Sequence, residues 1–207
     1  PVPGVSDLDT HAMAHRPPAT AGGLWVDLPG FEAEELRLAA GVDGCTGVEL
    51  CAASMAALPT ERGALCRFLL ATQAVRVWGE PLDLPRYRPD GSLRFLTPAL
   101  PGIVARTRQE LATDDDIPGL ARWIGKLLVR AGLEQVIERE GRYARDLWPC
   151  FRAFARHEPA QAEAMRAALV LAVEAPYAPE RVEAVLDGIG TWLAERAERG
   201  PTGPSAR

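Results

Sequence analysis

Residues 4–9 read G-V-S-D-L-D, and the fold predicted from the sequence rests on this stretch. It begins a segment, residues 5–13, with the pattern of a β-strand. Asp7 and Asp9 lie two positions apart, so on a strand both side chains point to one face, while Leu8 points toward a core. Two carboxylates at this spacing offer oxygen ligands to hard divalent cations. The alternative is a solvated strand end without a ligand.

A third carboxylate, Glu49, lies in the sequence G-V-E-L-C at residues 47–51. It interrupts a short apolar strand predicted over residues 48–53, and a carboxylate there is costly to bury unless it is paired or metal-bound. If the two strands are neighbours, Glu49 joins Asp7 and Asp9 on one face. It then serves as a metal ligand or as a general base for a substrate hydroxyl. The alternative is an edge strand with Glu49 in solvent.

The first part of the chain alternates strand and helix patterns, which is typical of an α/β arrangement. The predicted elements are a strand at 5–13, a helix at 31–40, a strand at 48–53, a helix at 56–72 and a short strand at 75–78. Residues 83–92 hold two prolines and a glycine, and they are predicted to form a linker.

Beyond this linker the apolar residues recur with the 3.6-residue period of helices. We therefore predict the α+β class, with a small mixed-sheet lobe over residues 1–84. A C-terminal helical bundle of about five helices follows over residues 93–199.

Three segments together resemble the polymerase-beta-type nucleotidyltransferase superfamily, and within it the aminoglycoside nucleotidyltransferases of the streptomycin and kanamycin type. They are S-D-L-D at residues 6–9 with V-E-L at 48–50, V-R-V-W-G-E-P-L at 75–82, and R-Y-A-R-D-L-W-P-C-F at 142–151. The second is similar to the end of the family's catalytic lobe, and the third to its C-terminal helical domain. The resemblance implies that residues 1–84 form a nucleotidyltransferase lobe.

The resemblance also implies a reaction. Asp7 and Asp9 would bind Mg²⁺, with two ions expected, and Glu49 would be a third ligand and activate the acceptor hydroxyl. A nucleoside monophosphate would pass from ATP or another nucleoside triphosphate to a small substrate such as an aminoglycoside.

Nucleotide contacts are expected from both halves of the chain. Arg122, Lys126 and Arg130 recur every four residues along one predicted helix, at the border of its apolar face. The resemblance implies that such a row contacts triphosphate oxygens; the alternative is a solvated basic face. Ser6, next to the acidic pair, is a further candidate nucleotide-binding residue.

The family's Gly-Ser turn, which holds the triphosphate, precedes its acidic pair by about ten residues, whereas Asp7 here follows Pro1 by six positions. We expect that turn in a segment preceding Pro1 of the intact protein, and catalysis depends on it. The alternative is a non-catalytic nucleotidyltransferase-like module that acts in binding or regulation, such as a toxin–antitoxin component or an interaction domain.

The composition of the chain limits the partners and the cellular compartment that are expected for it. The chain has 23 basic and 28 acidic residues, a net charge of −5, which argues against broad binding to DNA. No apolar run is long enough to span a membrane. The four cysteines form no C-x-x-C pair, so a zinc site is not expected. Because no secretory signal pattern is seen, we expect reduced thiols and a cytoplasmic location. A homo-oligomer is compatible with the sequence.

Overall fold

The computed structural model describes residues 6–14, 25–26, 29–41, 45–60, 63–89, 93–113, 116–174 and 178–199. Within these ranges the side chains of residues 6–11, 14, 25–26, 45–46 and 65 lie outside the description. The chain divides into two compact units, Pro1–Tyr87 and Arg88–Arg207. The division falls within the predicted linker at residues 83–92.

The first unit is built on a three-stranded sheet in the order β1-β3-β2. Its strands are β1 (Ser6–Ala14), β2 (Trp25–Val26) and β3 (Cys45–Ser54). β1 pairs with β3 in parallel, and β2 pairs with β3 antiparallel. The two strands predicted from the acidic motifs are therefore direct neighbours, and β3 is the central strand.

Helix α1 (Phe31–Ala40) lies between β2 and β3 in the chain and packs against β3. Gly30, at φ 90°, turns the chain into the helix, and two acids in its first turn complement the helix dipole. One turn in, Glu35 accepts a hydrogen bond from the Leu50 backbone N–H at 2.7 Å. This bond fixes α1 beside the strand that carries Glu49.

A tight turn follows β3 and leads to helix α2 (Ala64–Thr72). Arg67 donates to the carbonyl oxygens of Leu58 and Thr60 and so closes the turn. At Gly63 a Cβ atom would lie 2.2 Å from the Leu58 oxygen, so only glycine fits there. The turn and the helix enclose a small core of Ala53, Leu58 and Cys66.

The predicted strand at residues 75–78 is wrong: this segment forms no strand. Val75, Val77 and Trp78 are 83 %, 94 % and 92 % exposed. β-branched and aromatic residues favour a strand only where a neighbouring strand and a buried face are available, and here their side chains meet solvent.

The regular elements of the second unit are all helical within its described residues. Its helices are α3 (Leu100–Glu110), α4 (Ile117–Glu140), α5 (Leu147–His157), α6 (Ala162–Val173), α7 (Pro179–Val185) and α8 (Thr191–Glu198). A π-helical turn, Leu186–Gly190, joins α7 to α8. The small sheet followed by helices confirms the α+β class. None of the helices within the described ranges combines the length and apolarity needed to cross a bilayer.

Helix α4 is the centre of this second unit, with α5 and α6 packed against it. Asp116 caps its start by accepting from the Gly119 N–H at 2.9 Å, as the acidic run before Pro118 predicts. Gly125 permits the close crossing with α6, because a Cβ there would lie 2.8 Å from backbone atoms of Ala168 and Ala172.

A buried carboxylate joins α4 to the chain that enters α3. Glu134 is 5 % exposed. Its two oxygens accept from the backbone N–H groups of Phe95, Leu96 and Thr97 at 2.8–3.0 Å, and from the Thr97 hydroxyl at 3.0 Å. These donors lie at the start of the 3₁₀ turn Thr97–Ala99 that leads into α3. Glu134, a residue of α4, thus caps the 3₁₀ turn that leads into α3.

We expect Glu134→Leu to lower the free energy of unfolding by about 3 kcal/mol or more, since it leaves several buried N–H donors without an acceptor. Glu138→Gln, one turn along α4, is the matched control. The Glu138 ion pair with Arg94, at 3.3 Å, is half exposed, and its loss should cost less than about 1 kcal/mol. Urea unfolding of both variants measures the difference; equal losses would contradict the capping role.

The buried carboxyl group of Glu134 makes the stability of the protein depend on pH. Burial raises the pKa of Glu134 above 4.5, against the opposing hydrogen bonds from residues 95–97. The folded protein then binds this proton more tightly than the unfolded chain, so the contribution to stability is largest below the unfolded pKa. It declines as pH rises through the folded pKa. The free energy of unfolding of wild type should therefore fall relative to that of Glu134→Gln as pH rises from about 4 toward 7. A rise relative to the variant would contradict this.

Candidate functional site

The parallel pairing of β1 with β3 places two of the predicted acidic residues side by side. Asp9 is the direct partner of Glu49 in the register, flanked by the pairs Leu8 with Val48 and Thr10 with Leu50. Neighbouring strands lie about 4.8 Å apart, so two residues forty positions apart in sequence share one register position. The structure describes the backbone of Ser6, Asp7 and Asp9, and their side chains lie outside the description.

Asp7 occupies an irregular position in the same ladder. Ser6 pairs with Cys45 and Leu8 with Val48, so β1 advances two residues while β3 advances three. Such a bulge re-aims the residues beside it and is common next to functional sites. Within the described register of β1 and β3, Asp7 therefore has no direct partner, unlike Asp9.

Glu49 is exposed although it lies on the central strand, between buried Val48 and half-buried Leu50. The predicted alternation along β3 is thus observed at this point, and Glu49 is not on a sheet edge. Its Oε1 accepts a weak hydrogen bond from the Cys51 thiol at 3.3 Å. The carboxylate is open to solvent on one side, so an incoming cation or hydroxyl group can reach it.

The Glu49 carboxylate offers oxygen ligands of the kind that hard cations prefer. Among the side chains that the structure describes, no three His, Cys, Asp or Glu residues lie close enough to hold a metal ion. Glu49 is the one member of the predicted acidic set with a described side chain. A site here needs carboxylate oxygen from β1 as well, and the register gives Asp9 the position to supply it.

The basic row of the second unit lies on helix α4. Arg122 is exposed, and Lys126 and Arg130 are half-buried beside buried neighbours, which places the row at the border of the apolar face. Arg130 Nε donates to the Arg145 carbonyl oxygen at 3.3 Å. One end of the row therefore reaches the segment that leads into α5.

An aminoglycoside acceptor would need carboxylates that face its amines, and the sequence of α4 offers three candidates: Glu134, Glu138 and Glu140. Glu134 is buried on backbone donors, and Glu138 pairs with Arg94. Glu140 accepts from Arg156 at 2.6 and 2.8 Å and lies 3.0 Å from His157 Nε2. Burial opposes its ionisation, but these hydrogen bonds outweigh that effect and lower its pKa. All three carboxylates already have partners within the chain, so the expectation that they line an amine site is not supported.

Sequence reasoning missed the structural role of Glu134. A usable signal existed, since Glu134 follows Leu127 and Ala131 on the apolar face of α4 at helical spacing. An acid on an apolar face indicates a buried partner, and that argument was applied only to Glu49. The donors lie 37 to 39 residues away in sequence, which periodicity cannot reveal.

We expect Mg²⁺ or Mn²⁺ to raise the melting temperature of the wild-type chain by several degrees at about a hundredfold excess over Kd. We expect the Asp9 carboxylate to lie beside that of Glu49, where a bound cation would relieve the repulsion of the two negative charges. Glu49→Gln should therefore raise the metal-free melting temperature and reduce the response to metal.

The matched control is Glu32→Gln, which removes an exposed carboxylate from α1 of the same unit. It should change both melting temperatures by almost nothing, because surface substitutions usually stay within about 0.5 kcal/mol. An unchanged metal response in Glu49→Gln would remove Glu49 from the site.

Comparison of this chain with models of protein families, with curated proteins and with solved structures found no match.

Proposed function

We propose that the chain belongs to a Mg²⁺-dependent nucleotidyltransferase, which transfers a nucleoside monophosphate from ATP or another nucleoside triphosphate to a hydroxyl group. The in-register pairing of Asp9 with Glu49 on adjacent parallel strands is the observation that carries the proposal. Nucleotidyl transfer needs carboxylates gathered around divalent ions. The pairing supplies neighbouring acids from two distant parts of the sequence.

Each acid has a distinct task in this proposal. Asp7 and Asp9 hold Mg²⁺, whose charge neutralises the triphosphate when it is bound. Glu49, exposed on β3, accepts the proton of the acceptor hydroxyl. The hydroxyl oxygen forms a bond to the α-phosphorus, and the bond from that phosphorus to the leaving pyrophosphate breaks. The task of the protein is positioning and charge neutralisation, without a covalent enzyme intermediate.

The basic row of α4 is the proposed contact for the triphosphate. Arg122, Lys126 and Arg130 present cations one turn apart along one helix. Phosphate oxygens accept hydrogen bonds from such groups, and arginine does so with two parallel donors. Ser6 adds a hydroxyl close in sequence to the metal-binding acids.

The acceptor is proposed as a small hydroxyl compound such as an aminoglycoside. The net charge of −5 is compatible with a polycationic acceptor. The α4 carboxylates Glu134, Glu138 and Glu140 are already paired within the chain and give an aminoglycoside acceptor no additional support. The observations therefore support the nucleotide donor more than the acceptor.

A cytoplasmic location agrees with the reduced state of the cysteine thiols. Among the described side chains, Cys51, Cys66 and Cys150 form no disulfide, and two of them are buried. Burial raises the pKa of Cys150 to about 12, so very little of its reactive thiolate form is present at neutral pH. Free thiols of this kind are typical of proteins in a reducing compartment.

Isothermal titration of the full-length protein with ATP, in the presence and absence of Mg²⁺, tests the proposal. We expect Mg²⁺-dependent binding that Asp9→Asn weakens by tenfold or more, about 1.4 kcal/mol. Arg130→Gln should weaken ATP binding and leave the metal-induced rise in melting temperature unchanged. Glu32→Gln is again the control. No binding, or equal binding by Asp9→Asn, would contradict the proposal.

A further inference from the structure

A histidine and a cysteine occupy the register position next to the acidic pair. His11 on β1 is the direct partner of Cys51 on β3, two residues along each strand from Asp9 and Glu49. Alternate residues of a strand lie on the same face of a sheet, and the register runs without a further shift over residues 8–14. Four residues of the types that bind metals therefore occupy adjacent positions on one face.

The two described side chains of this set are already in contact. The Cys51 thiol donates to Glu49 Oε1 with 3.3 Å between sulfur and oxygen. In a tetrahedral zinc site, with bonds of about 2.3 Å to sulfur and about 2.1 Å to oxygen, two such ligand atoms lie about 3.6 Å apart. The observed separation is close to this value, so both atoms can bind one cation with little movement of either side chain.

The burial of Cys51 differs from that of the other described cysteines. Cys66 and Cys150 are 1 % and 0 % exposed, as expected of cysteines that pack as small apolar residues. Cys51 is half-buried and lies between buried Ala53 and exposed Glu49 on the same face of β3. It thus lies at the boundary between the core and the solvent-exposed part of that face, where apolar neighbours limit solvent access to a bound metal and one side remains open.

His11 occupies the position from which a third ligand can come. Neighbouring strands are about 4.8 Å apart, and residues two positions apart on one strand are separated by about 6.7 Å. A cation bound by Cys51 and Glu49 therefore lies within reach of a histidine at the register position opposite Cys51.

From this arrangement we propose that Glu49, Cys51 and His11 bind Zn²⁺, with water in the fourth position. Carboxylate, thiolate and imidazole are the ligands that zinc takes in proteins, whereas Mg²⁺ is bound by oxygen ligands. The sequence carries no C-x-x-C signal for this site, because its ligands come from two strands that are distant in the chain. The proposal depends on the pairing of β1 with β3 and not on nucleotidyl transfer.

Substitution of Co²⁺ for Zn²⁺ tests the proposal on the full chain, in a buffer whose reductant contains no thiol. A cysteine ligand gives Co²⁺ a sulfur-to-metal charge-transfer band in the near ultraviolet, which oxygen ligands do not give. We expect this band in wild type, its loss when Zn²⁺ is added, and its absence from Cys51→Ser.

The affinity for Zn²⁺, measured by competition with a chromophoric chelator, tests the other two ligands. His11→Ala and Glu49→Gln should each weaken binding by at least about tenfold, since the loss of an outer-shell partner alone costs that much. Glu49→Gln should also weaken the response to Mg²⁺, because Glu49 belongs to the proposed Mg²⁺ site as well.

Two variants serve as matched controls. Cys45→Ser removes another thiol of β3, six residues from Cys51 and so about 20 Å away along the strand. His157→Gln removes a histidine that already pairs with Glu140 in the second unit. Both should keep the Co²⁺ band and the wild-type affinity for Zn²⁺. Unchanged far-UV circular dichroism shows that each variant is folded.

Failure of this proposal is distinguishable from failure of the proposed reaction. Asp9→Asn should keep the Co²⁺ band and lose the response to Mg²⁺, whereas Cys51→Ser should lose the band and keep that response. Three outcomes would overturn the zinc site: no band in wild type with Co²⁺, a band that persists in Cys51→Ser, or an unchanged affinity for Zn²⁺ in His11→Ala.

Discussion

Parallel pairing of β1 with β3 is the constraint on which the candidate site depends. Parallel strands need a crossover between them, and here the crossover includes β2 and α1. The hydrogen bond from the Leu50 N–H to Glu35 anchors α1 on β3. The register then pairs Asp9 with Glu49. A slip of one residue would move one of these acids to the other face, so the buried Val48 that fixes the register also maintains the acidic pair.

The second unit uses a carboxylate for a different purpose. Glu134 is withdrawn from solvent and satisfied by four donors, whereas Glu49 remains exposed. Both are acids in apolar surroundings of the sequence, and the local pattern does not distinguish them. What differs is the donor supply: backbone N–H groups at a helix start surround Glu134, whereas Glu49 is exposed and accepts from the Cys51 thiol. A glutamate therefore links α4 to the start of α3 in the second unit, whereas a glutamate of the first unit remains accessible to a ligand.

The sequence correctly predicted features that depend only on residues close to one another in the chain. Helix Phe31–Ala40 follows from its acidic first turn, and the cap at Asp116 from the residues next to it. The strand at residues 75–78 could not be settled in this way, because Val75 and Val77 need a neighbouring strand that no local pattern reveals. The role of Glu134 was missed for the same reason, since its donors come from residues 95–97. The neighbour relation of β1 and β3 was a condition of the acidic-site hypothesis, and the structure supplies it.

We propose that Asp9 and Glu49 hold one cation between them. Mn²⁺ binding, followed by electron paramagnetic resonance in a double-mutant cycle of Asp9→Asn and Glu49→Gln, tests this proposal. Each single substitution is expected to weaken Mn²⁺ binding. The double variant is expected to lose less binding free energy than the sum of the single losses, with a coupling of at least about 0.5 kcal/mol. Additive losses, or a wild-type chain that binds no Mn²⁺, would contradict it.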